Sequence, residues 1–339
     1  MIDTQLKEIS NLNQNQDLRL KDVIRPIKQE LQEFESFFKQ TIRTDVFLLD
    51  KIVSYLLRQK GKQLRPTLVF MSAQLFGDVN NRSYIAAAMI ELLHTATLIH
   101  DDVVDEANVR RGFLSISKVW KNKAGVLLGD YLLSKGLLIA LEHDEFQLLQ
   151  VLSNAVKNMS QGELRQMKAA RLFNMTEEYY FEVISEKTAS LIASCCQCGA
   201  ISTTDDKEIH ELMHEVGMSI GIAFQIKDDL FDYGRNDVGK PRRNDIRERK
   251  VTLPFIKALE NASFTERAHI RYLMWKRKKK EKDINAIVRF VERKGGIEYS
   301  RQIMNDYANH AREKLSTLPE SPARDNFNTL IEFITNRKK

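Results

Sequence analysis

Hydrophobic residues recur at three- and four-residue spacing through most of the chain, which is the period of an amphipathic α-helix. The pattern holds over residues 21–59, a new helix opens near Pro66, and a long apolar helix runs from Ser83 to Asp105. A Gly-, Arg- and Asp-rich stretch at 234–253 predicts a loop. Further helical patterns cover residues 124–146, 148–171, 177–202, 207–233, 254–275, 283–294, 297–316 and 322–337.

Turn-forming residues are scarce, which supports an almost entirely helical fold. The 339 residues include only 14 Gly and 6 Pro, and no proline lies between Pro66 and Pro241. Helix interiors exclude proline because it lacks an N–H donor and clashes with the preceding turn. Since there is no internal repeat and no domain linker, we predict one all-α domain over residues 21–339, after a flexible polar N-terminus at residues 1–20.

Charge and hydropathy narrow the choice of partners. The 52 basic and 46 acidic residues give a net charge of +6, which is too small to indicate a nucleic-acid partner. The first 20 residues lack the apolar core of a signal peptide, and no window approaches the run of about 20 apolar residues that a membrane helix needs. We therefore expect a cytoplasmic protein.

The basic run Lys276–Lys280 has two possible interpretations from the sequence: a solvated loop, or a segment that makes transient contact with anionic lipid.

Two segments carry the same acidic pattern. The first aspartate motif is Asp101-Asp102-Val103-Val104-Asp105, and the second is Asp228-Asp229-Leu230-Phe231-Asp232. Residues four apart on a helix lie about 40° from each other, so the first and last aspartates of each motif share a face. Like charges in this arrangement destabilise a helix, and at its C-terminus they also oppose the macrodipole. Carboxylate oxygens suit Mg²⁺, which commonly bridges one or two carboxylates to substrate phosphates.

Cationic residues suited to a diphosphate lie near the first motif in the sequence. Lys62 and Arg65 flank the turn at Pro66, and Arg110 and Arg111 follow the first motif within six residues. His94 lies seven residues before the motif, about 20° from its first aspartate on an ideal helix, and can share the carboxylate face.

The run from Glu91 to Asp105, with Arg110-Arg111-Gly112, closely resembles the first aspartate-rich region of trans-polyprenyl diphosphate synthases. Other segments have that family's order and spacing: Gly61-Lys62 with Arg65-Pro66, Gln161-Gly162-Glu163, Lys187-Thr188, Gln225 before the second motif, and Leu318-Pro319 with Arg324. The resemblance covers residue 20 to the C-terminus. It implies the isoprenoid synthase fold, a bundle of about ten or more helices around a central apolar cavity. It also implies a homodimer that condenses isopentenyl diphosphate with an allylic diphosphate.

The resemblance also implies roles for individual residues. Asp101, Asp105, Asp228 and Asp232 would hold Mg²⁺, three ions per active site, with Mn²⁺ as a substitute. The catalytic set would further include Asp102, Asp229, Lys187, Thr188 and Gln225. Isopentenyl diphosphate would bind to Lys62, Arg65, His94 and Arg111. The allylic diphosphate would bind to Arg110, Lys187, Thr188, Gln225 and Lys240.

Product length is predicted by analogy with the same family, in which bulky residues just before the first motif block the growing chain. Ala96 and Thr97, five and four residues before the motif, are small. They favour a long all-trans product of about C30–C40, with a geranylgeranyl or farnesyl diphosphate synthase as the alternative. An ideal helix puts Ala96 off the carboxylate face, so this prediction depends on the resemblance.

The sequence departs from the family pattern at two positions: Arg243 and Arg249 stand where the family commonly has glycine.

Three other classes of protein are alternatives to this interpretation. A class I terpene cyclase would need a different second metal motif, and an HD-type phosphohydrolase is suggested only by His100-Asp101. A silent subunit of a heteromeric synthase usually loses its aspartates, which are present here.

Overall fold

The computed structural model describes residues 20–58, 63–107, 109–110, 113–172, 175–234 and 243–337. Sixteen α-helices lie in these ranges: α1 Leu20–Val23, α2 Lys28–Thr41, α3 Phe47–Arg58, α4 Leu64–Gln74, α5 Asn81–Val104, α6 Ile116–Glu142, α7 Phe146–Leu172, α8 Glu177–Ile184, α9 Ser190–Ile201, α10 Lys207–Phe231, α11 Asn244–Glu248, α12 Leu253–Glu260, α13 Phe264–Trp275, α14 Glu281–Arg293, α15 Gly296–Ser316 and α16 Pro322–Asn336. A 3₁₀ turn at Arg25–Ile27 precedes α2, and a π-helical turn at Ser185–Ala189 joins α8 to α9. The predicted all-α fold is confirmed.

A small antiparallel hairpin interrupts the helices after the first motif. Strand β1, Val109–Arg110, pairs with β2, Phe113–Leu114, with Val109 opposite Leu114. The hairpin connects the C-terminal end of α5 to the start of α6.

Side-chain caps fix where the two motif-bearing helices begin. The Asn80 side chain accepts hydrogen bonds from the backbone N–H groups of Arg82 and Ser83, and the Ser83 hydroxyl accepts one from the Asn80 N–H. This reciprocal capping box starts α5. The Asp206 carboxylate caps α10 by accepting the N–H of Glu208, without the reciprocal bond. Each motif then falls at the opposite, C-terminal end of its helix.

The core forms around α9, which packs against α4, α7 and α10, while α5 lies along α6 and α10 lies along α15. Helices α9 and α10 approach closely because α10 carries glycines at the crossing. A Cβ atom at Gly217 would lie 2.5 Å from the Ala193 Cα, and one at Gly221 would lie 2.5 Å from the Ala189 Cα. This contact brings the π-helical turn against the end of α10.

Three predicted boundaries were wrong. The described part of the predicted helix 21–59 forms three helices and a 3₁₀ turn that contains Pro26. The predicted helix 254–275 is two helices, because Ser263 caps a new N-terminus through a capping box with Glu266. The predicted loop 234–253 contains α11. Helix α6 begins at Ile116 and is kinked at Lys121, where φ is 70°, close to the predicted start at residue 124.

Helix α6 also corrects the sequence-based expectation about apolar windows. It contains an 18-residue window of mean hydropathy 1.6, long and apolar enough to cross a membrane by length and composition, and 33% of that window is buried in the fold. Part of its apolar surface therefore packs along α5, and part faces outwards.

Candidate active site

A cavity of about 630 Å³ opens between α2, α3, α4, α5 and α16, and Phe224 of α10 also lines it. Its walls are partly apolar, formed by residues that include Phe34, Phe38, Leu56, Leu57, Leu98, Ile99, Phe224 and Phe333. A few polar groups reach the same space: Arg65, Glu91, His94, Asp102 and Arg337. An apolar pocket with a small number of polar groups is the usual form of a small-molecule site.

The first aspartate motif forms the last turn of α5 at this cavity. Asp102 lines the cavity and is 4% exposed, whereas Asp101 is partly exposed and Asp105, the C-cap residue, is exposed. The two outer aspartates thus present accessible carboxylates, as their shared helix face predicts.

The second aspartate motif ends α10 and is joined to the cavity by Arg337. Arg337 follows α16, lines the cavity and donates from Nη2 to Asp228 Oδ1 at 2.5 Å. Its guanidinium lies 4.0 Å from the centre of the Phe224 ring, one turn before Asp228. The Arg337 side chain is 11% exposed and the Asp228 side chain is 41% exposed. One acidic helix end therefore lines the cavity directly, and the other is connected to it through a cationic side chain.

Asp229 is buried and organises its neighbours through hydrogen bonds. Tyr180 Oη donates to Asp229 Oδ2 at 2.6 Å, and Gln225 Nε2 donates to Asp229 Oδ1 at 2.9 Å. The Gln225 amide oxygen in turn accepts the Thr188 hydroxyl at 2.8 Å. Burial raises the pKa of Asp229 to about 7, against the opposing effect of the two hydrogen bonds. Three predicted site residues on α10 and the π-helical turn are thus linked in one network.

Lys187 projects from the π-helical turn and meets α7. Its Nζ donates to Gln166 Oε1 at 2.6 Å and forms an ion pair with Glu163. Gly162 allows this approach, since a Cβ atom there would lie 2.8 Å from the Lys187 backbone nitrogen. The Gln161-Gly162-Glu163 segment therefore has a physical role: its glycine admits the turn and its glutamate pairs with the lysine. Single π-helical turns within helices are frequent at functional sites.

Asp232 binds the segment that begins at Arg243. Its Oδ1 accepts the backbone N–H of Arg243 at 3.2 Å, and its Oδ2 accepts that of Asp245 at 2.6 Å. Arg243 and Arg249 both adopt left-handed backbone conformations, with φ of 92° and 64°. Glycine adopts this conformation without a steric penalty. The two arginines that stand where the family commonly has glycine therefore occupy positions whose backbone conformation favours glycine.

Some of the predicted substrate-binding residues line the cavity, and others do not. Arg65 and His94 line the cavity, as predicted for neighbours of a diphosphate. Ala96 is 1% exposed and packs between α5 and α6 with Leu92 and Leu128. Among the described residues, the cavity wall on α5 includes Thr95 and Leu98 but neither Ala96 nor Thr97. Lys62, Arg111, Gly112 and Lys240 lie outside the described residues, as does the side chain of Arg110.

The donor set fits a hard divalent cation shared with a substrate. Within the described ranges, no group of three or more His, Cys, Asp or Glu side chains is close enough to hold a metal ion. Carboxylates on two separate helix ends instead suit Mg²⁺ ions that complete their coordination with phosphate oxygens. The Arg337 guanidinium at Asp228 shows that this carboxylate accepts a cation in the fold.

Sequence reasoning missed two residues of the site, Tyr180 and Arg337. Tyr180 meets Asp229 across 49 positions of sequence, and Arg337 meets Asp228 across 109. No local pattern marks Tyr180, which reads as an ordinary aromatic residue of a helix. The signal for Arg337 was the basic Arg337-Lys338-Lys339 segment directly after an amphipathic helix.

Comparison with known proteins supports the same class. The family model for polyprenyl synthetase matches residues 46–291. Heptaprenyl diphosphate synthase component 2 of Bacillus subtilis is 31% identical over 98% of this chain and 97% of its own. Octaprenyl diphosphate synthase of Escherichia coli is 30% identical over 88% of this chain and 92% of its own. The crystal structure of a decaprenyl diphosphate synthase from Rhodobacter capsulatus superposes with a TM-score of 0.88 at 30% identity, covering 95% of this chain and all of that one.

Fold, site and comparisons together define a helical prenyltransferase. The chain belongs to the polyprenyl synthetase family. The resemblance inferred from the two aspartate motifs is confirmed, and the fold is that of the isoprenoid synthases.

Proposed function

We propose that this prenyltransferase condenses isopentenyl diphosphate with an allylic diphosphate, repeatedly, to give a long all-trans polyprenyl diphosphate of about C30–C40. The observation that carries the proposal is the shared cavity: Asp102 of the first motif lines it, and Arg337 connects it to Asp228 of the second. The similarity to heptaprenyl and octaprenyl diphosphate synthases supports the long-chain form.

Asp101, Asp105 and Asp228 would hold Mg²⁺, three ions in all, and Mn²⁺ would substitute for it. Asp232 would contribute to the same site while its carboxylate holds the backbone of Arg243 and Asp245. Bound Mg²⁺ neutralises the charge that grows on the diphosphate as the allylic C–O bond breaks.

The protein's own residues bind and orient the two substrates. Arg65 and His94 lie at the cavity wall, where they would bind isopentenyl diphosphate. Lys187 would neutralise the allylic diphosphate, and the Thr188 hydroxyl, held by Gln225, would face the positive charge that develops on the allylic carbon. The double bond of isopentenyl diphosphate would then attack this carbon, which leaves a cation on the isopentenyl unit. The released diphosphate would take a proton from the neighbouring carbon, and the electrons of that C–H bond would form the new double bond. Lys62, Arg110, Arg111 and Lys240 complete the proposed diphosphate contacts.

An apolar stripe on α6 supports a homodimer. Val126, Leu127, Leu137, Leu138 and Leu141 are all exposed and fall within about 120° of one another on an ideal helix. Asp130 and Ser134 lie within the same arc, and exposed apolar side chains grouped around them form a surface of the kind that marks interaction sites. We propose that a second copy of the chain covers this surface.

We also propose a cytoplasmic location, because the three buried cysteines are free thiols, as is usual in a reducing compartment.

Light scattering with size-exclusion chromatography tests the dimer. We expect twice the chain mass of 39.3 kDa for the wild type and the single mass for Leu127→Lys/Leu138→Lys. Phe264→Lys, which changes an exposed aromatic residue elsewhere, should remain dimeric. A monomeric wild type would contradict the dimer.

The reaction is tested with purified protein, Mg²⁺, farnesyl diphosphate and labelled isopentenyl diphosphate, followed by chromatography of the dephosphorylated products. Linear products of about six to eight isoprene units support the proposal, and products of three or four units support the shorter-chain alternative. Cyclic hydrocarbons would identify a terpene cyclase. Absence of turnover at all Mg²⁺ concentrations would contradict the proposed reaction.

A further inference from the structure

The positive charge of the chain is concentrated in one short segment. Residues Arg271–Lys282 include seven basic residues and one acidic residue, which equals the net charge of +6 of the whole chain. The remaining 327 residues are therefore electrically balanced. A charge distribution this uneven creates a local positive potential that a balanced surface lacks.

The carboxylates beside this segment form ion pairs with three basic residues, of which Lys276 belongs to the segment and Lys250 is shared by two carboxylates. Asp245 and Glu248 pair with Lys250, Glu281 pairs with Arg247, and Asp283 pairs with Lys276. The basic surface is defined as Arg249 together with five cations of the segment, Arg277, Lys278, Lys279, Lys280 and Lys282; Arg271, on α13, is not included. Within the ranges that the structure describes, no carboxylate lies within 4.0 Å of any of these six side chains.

The fold holds these like charges together at a cost. Lys279 Nζ is fixed by the carbonyl oxygens of Lys276, at 3.2 Å, and Arg247, at 3.4 Å. Its burial, together with the positive charge of Arg249, lowers its pKa. The segment also leads into the N-terminal end of the 13-residue helix α14, where the macrodipole is positive and basic residues are unfavourable. An external anion would offset the repulsion between these positive charges.

The basic surface lies next to the active site. Arg243 donates its backbone N–H to Asp232 of the second motif, and α11 follows directly. A five-residue helix is about 7.5 Å long. At its far end the Arg247 carbonyl accepts the hydrogen bond from Lys279. The basic surface therefore contacts, through Lys279, the far end of the short helix whose start is bound to the second aspartate motif.

We propose that the basic surface binds the phosphate headgroups of an anionic phospholipid membrane and so holds this end of the enzyme against the bilayer. This proposal rests on the proposed function in one respect: the product is a long apolar chain, which has to be transferred from water to a membrane. Arg277, Lys278, Lys280 and Lys282 are exposed side by side, an arrangement that matches an extended anionic surface better than one compact phosphate. Tyr272, 63% exposed on α13, adds an aromatic ring of the kind that lies at membrane interfaces.

Vesicle sedimentation with the full-length protein tests this surface. The vesicles contain phosphatidylcholine alone or with about 30% phosphatidylglycerol, at about 0.1 and 0.5 M NaCl. The test variant is Arg277→Gln/Lys278→Gln/Lys280→Gln/Lys282→Gln. The matched control changes four basic residues on other helices, Lys28→Gln/Lys157→Gln/Lys207→Gln/Arg312→Gln, and gives the same net charge.

We expect the wild type and the control variant to sediment with anionic vesicles, and the test variant to bind at least about 100-fold more weakly, since each cation near an anionic leaflet strengthens partitioning about fivefold. Binding should fall at high salt and be absent with phosphatidylcholine alone. All three proteins should keep the same helical circular dichroism and the same rate with short, soluble substrates.

Four results would overturn the proposal. The first three are no sedimentation of the wild type, equal losses in both variants, and complete competition by millimolar inorganic diphosphate, which would assign the surface to a free anion. Wild-type binding to a DNA duplex as tight as to anionic vesicles would assign it to nucleic acid instead. If the wild type bound anionic vesicles in a salt-sensitive way but catalysed no prenyl transfer, the membrane-binding proposal would hold and only the proposed function would be contradicted.

Discussion

Among single residues, Asp228 gives the sharpest test of the proposed site, because the Arg337 guanidinium and the proposed Mg²⁺ bind the same carboxylate. Arg337 bonds to Asp228 Oδ1 and also to the Phe224 carbonyl, and burial lowers the pKa of its guanidinium against the effect of Asp228. The pair is partly open to solvent, so its contribution is on the order of 1 kcal/mol. A divalent cation that binds Asp228 through the same oxygen would displace Arg337.

Replacing Arg337 by leucine should therefore strengthen Mg²⁺ binding. We expect the Mg²⁺ concentration for half-maximal thermal stabilisation, measured by scanning fluorimetry without substrate, to fall about fivefold, which corresponds to about 1 kcal/mol. Arg324→Leu, on the same helix but bonded to the Leu318 carbonyl, should leave the midpoint unchanged. An unchanged midpoint in Arg337→Leu would show that the ion pair does not compete with the metal.

Arg243 and Arg249 show what a sequence departure can mean for one residue. Both occupy the left-handed region, which costs a non-glycine residue about 1–2 kcal/mol. The buried Arg243 side chain donates from Nη1 to Asn285 Oδ1 at 2.5 Å and so ties this segment to α14. The Arg249 side chain makes no such hydrogen bond among the described residues. The resemblance identified these positions, but the sequence could not show that only one arginine is anchored.

Glycine substitutions should separate the two positions. Arg249→Gly should stabilise the protein by about 0.5 kcal/mol, since relief of strain exceeds the added entropy of the unfolded chain. Arg243→Gly should destabilise it by about 1 kcal/mol, because the buried hydrogen bond to Asn285 is lost. Urea unfolding measures both changes. Equal effects of the two substitutions would contradict the anchoring role of Arg243.

At the scale of elements, the sequence predicted which segments are helical better than where they end. The apolar period identifies α5, α7 and α10 because each buries a long stripe. It misses the break before α13, which depends on one hydrogen-bonded cap: Glu266 accepts the Ser263 N–H at 3.0 Å and binds Lys294 of the following segment at 2.8 Å. The π-helical turn is likewise invisible to periodicity, since it depends on the contact of Lys187 with Gly162 of α7.

The Glu266 cap should make stability depend on pH in acid. The hydrogen bond from Lys294, then that from Ser263, lowers the pKa of Glu266 to about 2. A carboxyl group whose pKa is lower in the folded protein stabilises the fold above its unfolded pKa near 4.5, and this contribution is lost as the pH falls towards 2. The difference in melting temperature between the wild type and Glu266→Gln should therefore shrink from pH 5 to pH 2. A constant difference across that range would contradict the assigned cause.

The wall of α5 gives a prediction about product length. Thr95 lines the cavity, so Thr95→Phe should shorten the products of the chromatographic assay. Ala96 is buried against α6, so Ala96→Phe should mainly overpack that interface and destabilise the protein by about 1–3 kcal/mol. Shorter products from a stably folded Ala96→Phe, with an unchanged distribution from Thr95→Phe, would instead support the sequence-based assignment of Ala96 to the tunnel.

At the scale of the whole molecule, the sequence predicted the fold class and the two acidic helix ends, because helical period and motif spacing are local properties. It could not show how the second motif is connected to the cavity that the first motif lines. That depends on α9 crossing α10 at Gly217 and Gly221, and on α16 bringing Arg337 back to α10. These contacts join residues far apart in sequence, and no periodicity encodes them. The roles of the individual site residues remain predictions.

The most direct measurement is the rate of condensation after neutralising one carboxylate at each helix end. Asp101→Asn and Asp228→Asn should each lower the rate at saturating Mg²⁺ by at least about a hundredfold, because each carboxylate is required to hold Mg²⁺ against the departing diphosphate. Asp306→Asn, an exposed carboxylate on α15, should retain the wild-type rate. If either Asp101→Asn or Asp228→Asn kept more than about half of the wild-type rate, the two aspartate motifs would not form the active site.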